Sequence, residues 1–72
     1  MSNILYTIGK NIRHYRNALN ISQEKLAEKA GLHRTYIGAV ERGKKNISAN
    51  NIAKIAKVLG VEPYVLLLTN TN

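Results

Sequence analysis

Apolar residues recur every three or four positions along nearly the whole chain, and the pattern is cut at Asn20, Gly31, Gly43 and Gly60. An α-helix turns once in 3.6 residues, so this spacing lines one face of a helix. A chain that keeps it throughout is expected to pack helices against helices. The cuts fall at residues that tolerate the left-handed backbone on which helices close. Helix 1 is expected from about 4 to 19, with Ile4 or Leu5, Ile8, Ile12, Tyr15 and Leu19 on its inner face. Gly9 sits inside it and should cost about 1 kcal/mol relative to alanine. Ser22 is a good N-cap for a second helix over 23–30, with Glu24 favourably placed in the first turn. Lys25 stands where a capping box would need glutamate, so that box is missing. Helix 3 is expected over 33–42, burying Ile37 and Val40. Ser48 caps a fourth helix over 49–59, which turns Ile52, Ile55, Ala56 and Leu59 inward. Glu62 and Pro63 open a last short helix over 62–68, since proline suits a first turn, and "TNTN" reads as a frayed tail. No strand pattern, repeat or low-complexity segment interrupts the series. The expectation is one all-α domain over 1–72, five helices with no linker.

Seventy-two residues lie near the lower limit for a self-sufficient core. Such chains often draw stability from a disulfide, a metal or a partner subunit. Cysteine is absent, which excludes a disulfide, and His14 and His33 alone cannot complete a closed zinc site. No metal or cofactor is therefore expected, and oligomerisation is the source left. Eleven Lys and Arg face four Glu, with no Asp, for a formal charge of +7. That excess favours a polyanion, either nucleic acid or an anionic membrane. No apolar run approaches the roughly 20 residues of a membrane span, and "MSNILYTIGK" lacks the form of a signal peptide. The expected location is the cytoplasm.

Residues 23–42 carry the most specific pattern. Two short helices joined by a tight glycine turn make a helix-turn-helix. The helices cross closely, which needs a small residue at the contact: Ala27 is one. The turn needs left-handed geometry: Gly31 is there. The pair needs a shared core, and Leu26, Ala30, Leu32, Ile37 and Val40 fall at the required spacings. In full, "SQEKLAEKAGLHRTYIGAVERGKKNIS" resembles the Cro/C1-type (XRE) helix-turn-helix family, over roughly residues 8 to 68. More narrowly, "RTYI…ERGKKNIS…NI", within 34–52, resembles the restriction–modification controller proteins, and phage repressors and antitoxins share parts of it. The resemblance implies a compact lambda-repressor-like domain that works as a small dimer and regulates the timing of endonuclease expression.

A recognition helix enters the major groove with its N-terminal residues against base edges. The resemblance carries that role onto Arg34, Thr35 and Tyr36, with His33 and Ala39 beside them. The chemistry suits it. Arg34 has the fork that bonds guanine O6 and N7 together. Thr35 offers a methyl or a hydroxyl, Tyr36 can stack or bond a phosphate, and Ala39 can touch a thymine methyl. His33 departs from an acidic residue often found there and serves equally as a cap. Tyr36 lies only about 100° around the helix from Ile37, so partial burial in the core is an equal reading. Backbone phosphates are assigned to Gln23, Arg13, Arg42, Lys44, Lys45, Asn46, Ser48 and Asn51, of which Gln23 resembles a family phosphate ligand at a helix N-terminus. From the phage-repressor branch, Arg16 and Glu41 are expected to form a surface ion pair between helix 1 and the end of helix 3. Such a pair adds only about 0–1 kcal/mol and orients the reading helix. From activating phage repressors, Glu24 and Glu28 are expected to face RNA polymerase. Tyr64, Val65, Leu66, Leu67 and Leu68 offer more apolar surface than one terminal turn can bury at home, and are expected at a homodimer interface on an inverted-repeat operator in double-stranded DNA.

Other classes weigh less. General acid–base or metal-dependent chemistry needs converging carboxylates, His or Cys, and two distant His with no Asp and no Cys supply none, so an enzyme is not expected. A basic membrane-surface module needs an unused apolar face, whereas the faces here are taken up by mutual packing. A phage-type repressor or an antitoxin would bind DNA too, and the neighbouring genes would discriminate.

Overall fold

The computed structural model describes residues 3–69, so the predicted frayed tail over 69–72 lies, apart from Thr69, outside the described residues. Four α-helices follow one another: α1 (Ile4–Ala18), α2 (Gln23–Ala30), α3 (Arg34–Glu41) and α4 (Ala49–Leu59). A 3-10 helix, Pro63–Leu67, closes the fold. Among the described residues there is no strand.

Local chemistry sets the boundaries. Ser22 Oγ accepts the Lys25 N–H at 2.9 Å, and Ser48 Oγ accepts that of Asn51 at 3.1 Å. Each satisfies a donor that the first helical turn leaves without a partner. Asn3 does the same for α1 by accepting from Leu5, a cap that sequence reasoning missed. Gly31 closes α2 at φ 72°, a conformation in which a Cβ would be strained. His33 takes the N-cap position of α3 without making a side-chain cap bond, so the helix begins one residue later than expected.

The core joins Ile8 and Ile12 of α1, Leu26, Ala27 and Ala30 of α2, Ile37 and Val40 of α3, Ile55, Ala56 and Leu59 of α4, and Leu66. Leu19 departs from expectation: it caps α1 and stays 48% exposed.

The C-terminal segment corrects two expectations. It is a 3-10 helix rather than a turn of α-helix. Asn11 of α1 reaches across and donates Nδ2 to the carbonyls of Leu66 at 2.9 Å and Leu68 at 2.8 Å. Those oxygens belong to the end of the segment, and Leu68 is already extended. Leu66 does not belong to a dimer surface either, for it is 0% exposed and completes the core of its own chain. The 3-10 repeat of three residues per turn puts few side chains on any one face. Leu66 thus turns inward while Tyr64, Leu67 and Leu68 stay outside, at 62%, 42% and 52% exposure.

Gly9 serves α1 through absence of bulk. It is buried where α1 crosses the end of α3, and a Cβ there would collide with the Val40 carbonyl oxygen and lie 2.7 Å from that of Glu41.

Candidate nucleic-acid interface

The N-cap His33 and the first-turn residues Arg34 and Thr35 of α3 are exposed, while Ile37 and Val40 anchor its opposite face in the core. Tyr36, between these faces, is half-buried, and its hydroxyl accepts a hydrogen bond from Asn51 Nδ2 at 3.0 Å. Ala39 is half-buried one turn further on. Arg42, Lys44, Lys45, Asn46 and Ser48 follow as an exposed basic and polar loop. The loop leaves from the far end of α3, and the Tyr36–Asn51 bond joins the first turn of α3 to the start of α4.

Beneath this surface lies a polar network. Arg16 Nε donates to Glu41 Oε2 at 2.6 Å and Nη2 to Oε1 at 3.0 Å. Its third nitrogen, Nη1, donates to the Ile21 carbonyl at 2.9 Å. One guanidinium therefore ties α1 to both the end of α3 and the turn before α2. The expectation of a surface pair is corrected, since the two side chains are 11% and 2% exposed. Burial changes the energetics. An exposed pair is nearly neutral, whereas breaking a buried one strands an uncompensated charge.

Gln23 joins the network as well, donating Nε2 to Glu41 Oε1 at 3.0 Å. That amide nitrogen carries a second N–H. Gly38 lies beside the route: a Cβ there would lie 3.4 Å from Gln23 Oε1 and 3.3 Å from Arg42 Nη1. The sequence by itself shows Gly38 only as a position without a side chain. Its close neighbours were invisible because they lie on another helix and in the next turn.

Three assignments stand apart from this cluster. Arg13 is exposed on α1, and among the described residues no hydrogen bond links it to the others. Glu24 is exposed on α2, and Glu28, also exposed, pairs with Lys25 at 3.1 Å. Among the described residues no group of three His, Cys, Asp or Glu side chains could hold a metal ion.

Two helices crossing through small residues around a left-handed glycine, with a polar exposed turn on the second, have the geometry of a helix-turn-helix. The family profile described as helix-turn-helix matches residues 12–66. The chain belongs to the helix-turn-helix family of DNA-binding regulators. Membership makes it a regulator rather than an enzyme. Its relatives include Control protein C.BamHI of Bacillus amyloliquefaciens, 51% identical over 67 residues that span 92% of this chain and 83% of that protein. The crystal structure of the restriction-modification controller protein C.AhdI from Aeromonas hydrophila superposes with a TM-score of 0.84 at 47% identity, covering 86% of this chain and 94% of that one. The master regulator for biofilm formation SinR, solved in complex with DNA, superposes with a TM-score of 0.81 at 37% identity, covering 85% and 98%. In a helix-turn-helix the second helix is the one that enters the major groove, and the second helix of the pair here is α3.

Proposed function

We propose that this protein is an autoregulatory controller of a restriction–modification system, binding an inverted-repeat operator as a homodimer in the cytoplasm. The observation that carries the reading is the first turn of α3. Arg34 and Thr35 project from it into solvent, while the buried Arg16–Glu41 pair holds the other end of the helix. A solvent-facing fork on a rigid helix suits bidentate contact with guanine. Gln23, Arg13, Arg42, Lys44, Lys45, Asn46 and Ser48 hold the backbone around it. The likeness to C.BamHI and C.AhdI supports the controller role, and the likeness to SinR, solved with DNA, supports the ligand.

Selection of bound sequences from a random DNA pool tests the reading and should return a symmetric site with half-sites about one turn, ~34 Å, apart. Arg34→Ala should flatten the preference at one guanine, at a cost of about 1–3 kcal/mol. Lys45→Ala should weaken binding to all sequences alike and lower the salt slope by about 1. A pool that yields no enriched site overturns the proposal.

The dimer uses Tyr64, Leu67 and Leu68, with Val65 at its edge. Ile4 and Tyr6, exposed on α1, add apolar surface on the helix that packs against the 3-10 segment. Leu67→Glu should keep its helical circular dichroism yet sediment as a monomer. Leu66→Glu should instead lose the helical signal, because it places a charge in the core. Glu24 and Glu28, exposed together on α2, form the surface offered to RNA polymerase. A Glu28→Lys variant should bind the operator normally and lose activation.

A further inference from the structure

We infer that Asn11, on α1, is the positioning residue of the dimer face: its amide pins the two carbonyls that flank Leu67, and so sets Leu67 and Leu68 outward before a second copy arrives. The inference rests on the homodimer proposed above and adds the residue that forms its surface in advance.

Asn11 lies on the inner side of α1, only 6% exposed. A buried amide needs partners for its hydrogens. Here Nδ2 gives both to backbone far along the chain, to the Leu66 carbonyl at 2.9 Å and the Leu68 carbonyl at 2.8 Å. The amide can face them in one way only, since Oδ1 in the place of Nδ2 would set an acceptor against two acceptors.

The end of the 3-10 helix has little else to hold it. A helix leaves its last carbonyls without partners, and Leu68 is already extended at φ −72° and ψ 133°. Leu66 anchors the segment in the core, but Leu67 and Leu68 are exposed, so their own burial does not fix them. The bond from the Leu68 N–H back to the Val65 carbonyl is 3.3 Å long. A terminal stretch that nothing ties down frays. Two carbonyls on either side of Leu67, both bound to one amide, hold the backbone there. With Leu66 turned inward, the side left to Leu67 is the outer one. Association must bear the entropy of ordering any loose segment at the contact. A face held beforehand therefore binds more tightly with no added contact, and a two-fold axis applies the gain to both protomers.

The test uses the full chain with Asn11→Leu, which keeps a similar volume and removes both donors, and with Asn11→Asp, which sets a carboxylate against the two carbonyls. Sedimentation equilibrium well below the melting range reads the dimer. Asn11→Leu should keep the helical circular dichroism and raise the dimer dissociation constant by roughly 5- to 100-fold, the span of two neutral hydrogen bonds. Asn11→Asp should raise it further. In a Leu67→Ala background the effect of Asn11→Leu should be at least about threefold smaller, because residues that act through one another are not additive. The same factor in both backgrounds, or a folded Asn11→Leu whose dissociation constant stays within about twofold of the wild type, overturns the inference and leaves the dimer standing. A wild type that sediments as a monomer throughout overturns both. A readout that needs no Asn11 variant covers the case in which Asn11→Leu does not fold. In monomeric Leu67→Glu the Asn11 side-chain amide hydrogens should exchange with solvent about tenfold or more slower than those of the exposed Asn17, as hydrogens held in a closed structure do. Equal exchange at the two amides shows a face that is not formed in advance and also overturns the inference.

Discussion

Gly9→Ala should destabilise the domain by about 3 kcal/mol, at or above the upper end of the usual range for overpacking a core. In an exposed helix interior the same change would stabilise by about 1 kcal/mol, so the two readings differ in sign. The difference comes from what the new methyl would meet. The Val40 and Glu41 carbonyl oxygens stand against the Gly9 Cα, and both are main chain at the end of α3. A flexible side chain could swing away, but these atoms move only if the two helices part. A chain of this size holds roughly 4–11 kcal/mol in total, and each kcal/mol shifts the midpoint of a small domain by about 4–8 °C. A fall of at least 10 °C is therefore expected in thermal melts followed by circular dichroism. A rise in the midpoint would show that α1 does not approach α3 this closely. Operator affinity should fall as well, since the displaced end belongs to the reading helix.

The second large effect lies one contact away. Glu41→Ala should cost about 3–5 kcal/mol, the usual range for removing one partner of a buried pair. The Arg16 guanidinium would keep only its bond to the Ile21 carbonyl, and Gln23 would lose its acceptor. Urea denaturation should show the midpoint falling steeply. The double variant Arg16→Met, Glu41→Leu should recover most or all of that stability, because buried ion pairs are often no better than apolar replacements of similar volume. It should still bind the operator less tightly than the wild type, since Gln23 is no longer held at Glu41. If the double variant is as unstable as Glu41→Ala, the network contributes more than a charge that needs a partner.

Both predictions concern residues whose types were read from the sequence and whose settings were not. Resemblance gives Arg16 and Glu41 as a surface ion pair, whereas their bond lies in the interior. Burial depends on α2 and its turn folding over the guanidinium, with the Ile21 carbonyl and the Gln23 amide as neighbours. Leu66 failed in the opposite direction. Five apolar or aromatic residues in a row carry no periodicity that marks one as inward, and the choice fell to Asn11, 55 residues away, which holds the Leu66 carbonyl. Helical spacing places Tyr36 equally between core and groove. The structure gives it a half-buried position and a partner on α4 that no helical spacing connects to it.

The four α-helices, their approximate boundaries and the exposed first turn of α3 were legible from the chain because they arise within about four residues. Serines at 22 and 48 satisfy donors three positions on, and Gly31 and Gly60 admit the left-handed closure that other residues resist. The period of the apolar residues fixes which face is buried. What required the assembled fold was every property that depends on a neighbour distant in the chain. These are the space denied to a methyl at Gly9, the water excluded from Arg16 and Glu41, the inward turn of Leu66 and the bond between Tyr36 and Asn51. Backbone propensities and caps act through local bonds, while steric exclusion and desolvation act through whichever surfaces happen to meet, and only packing brings those surfaces together.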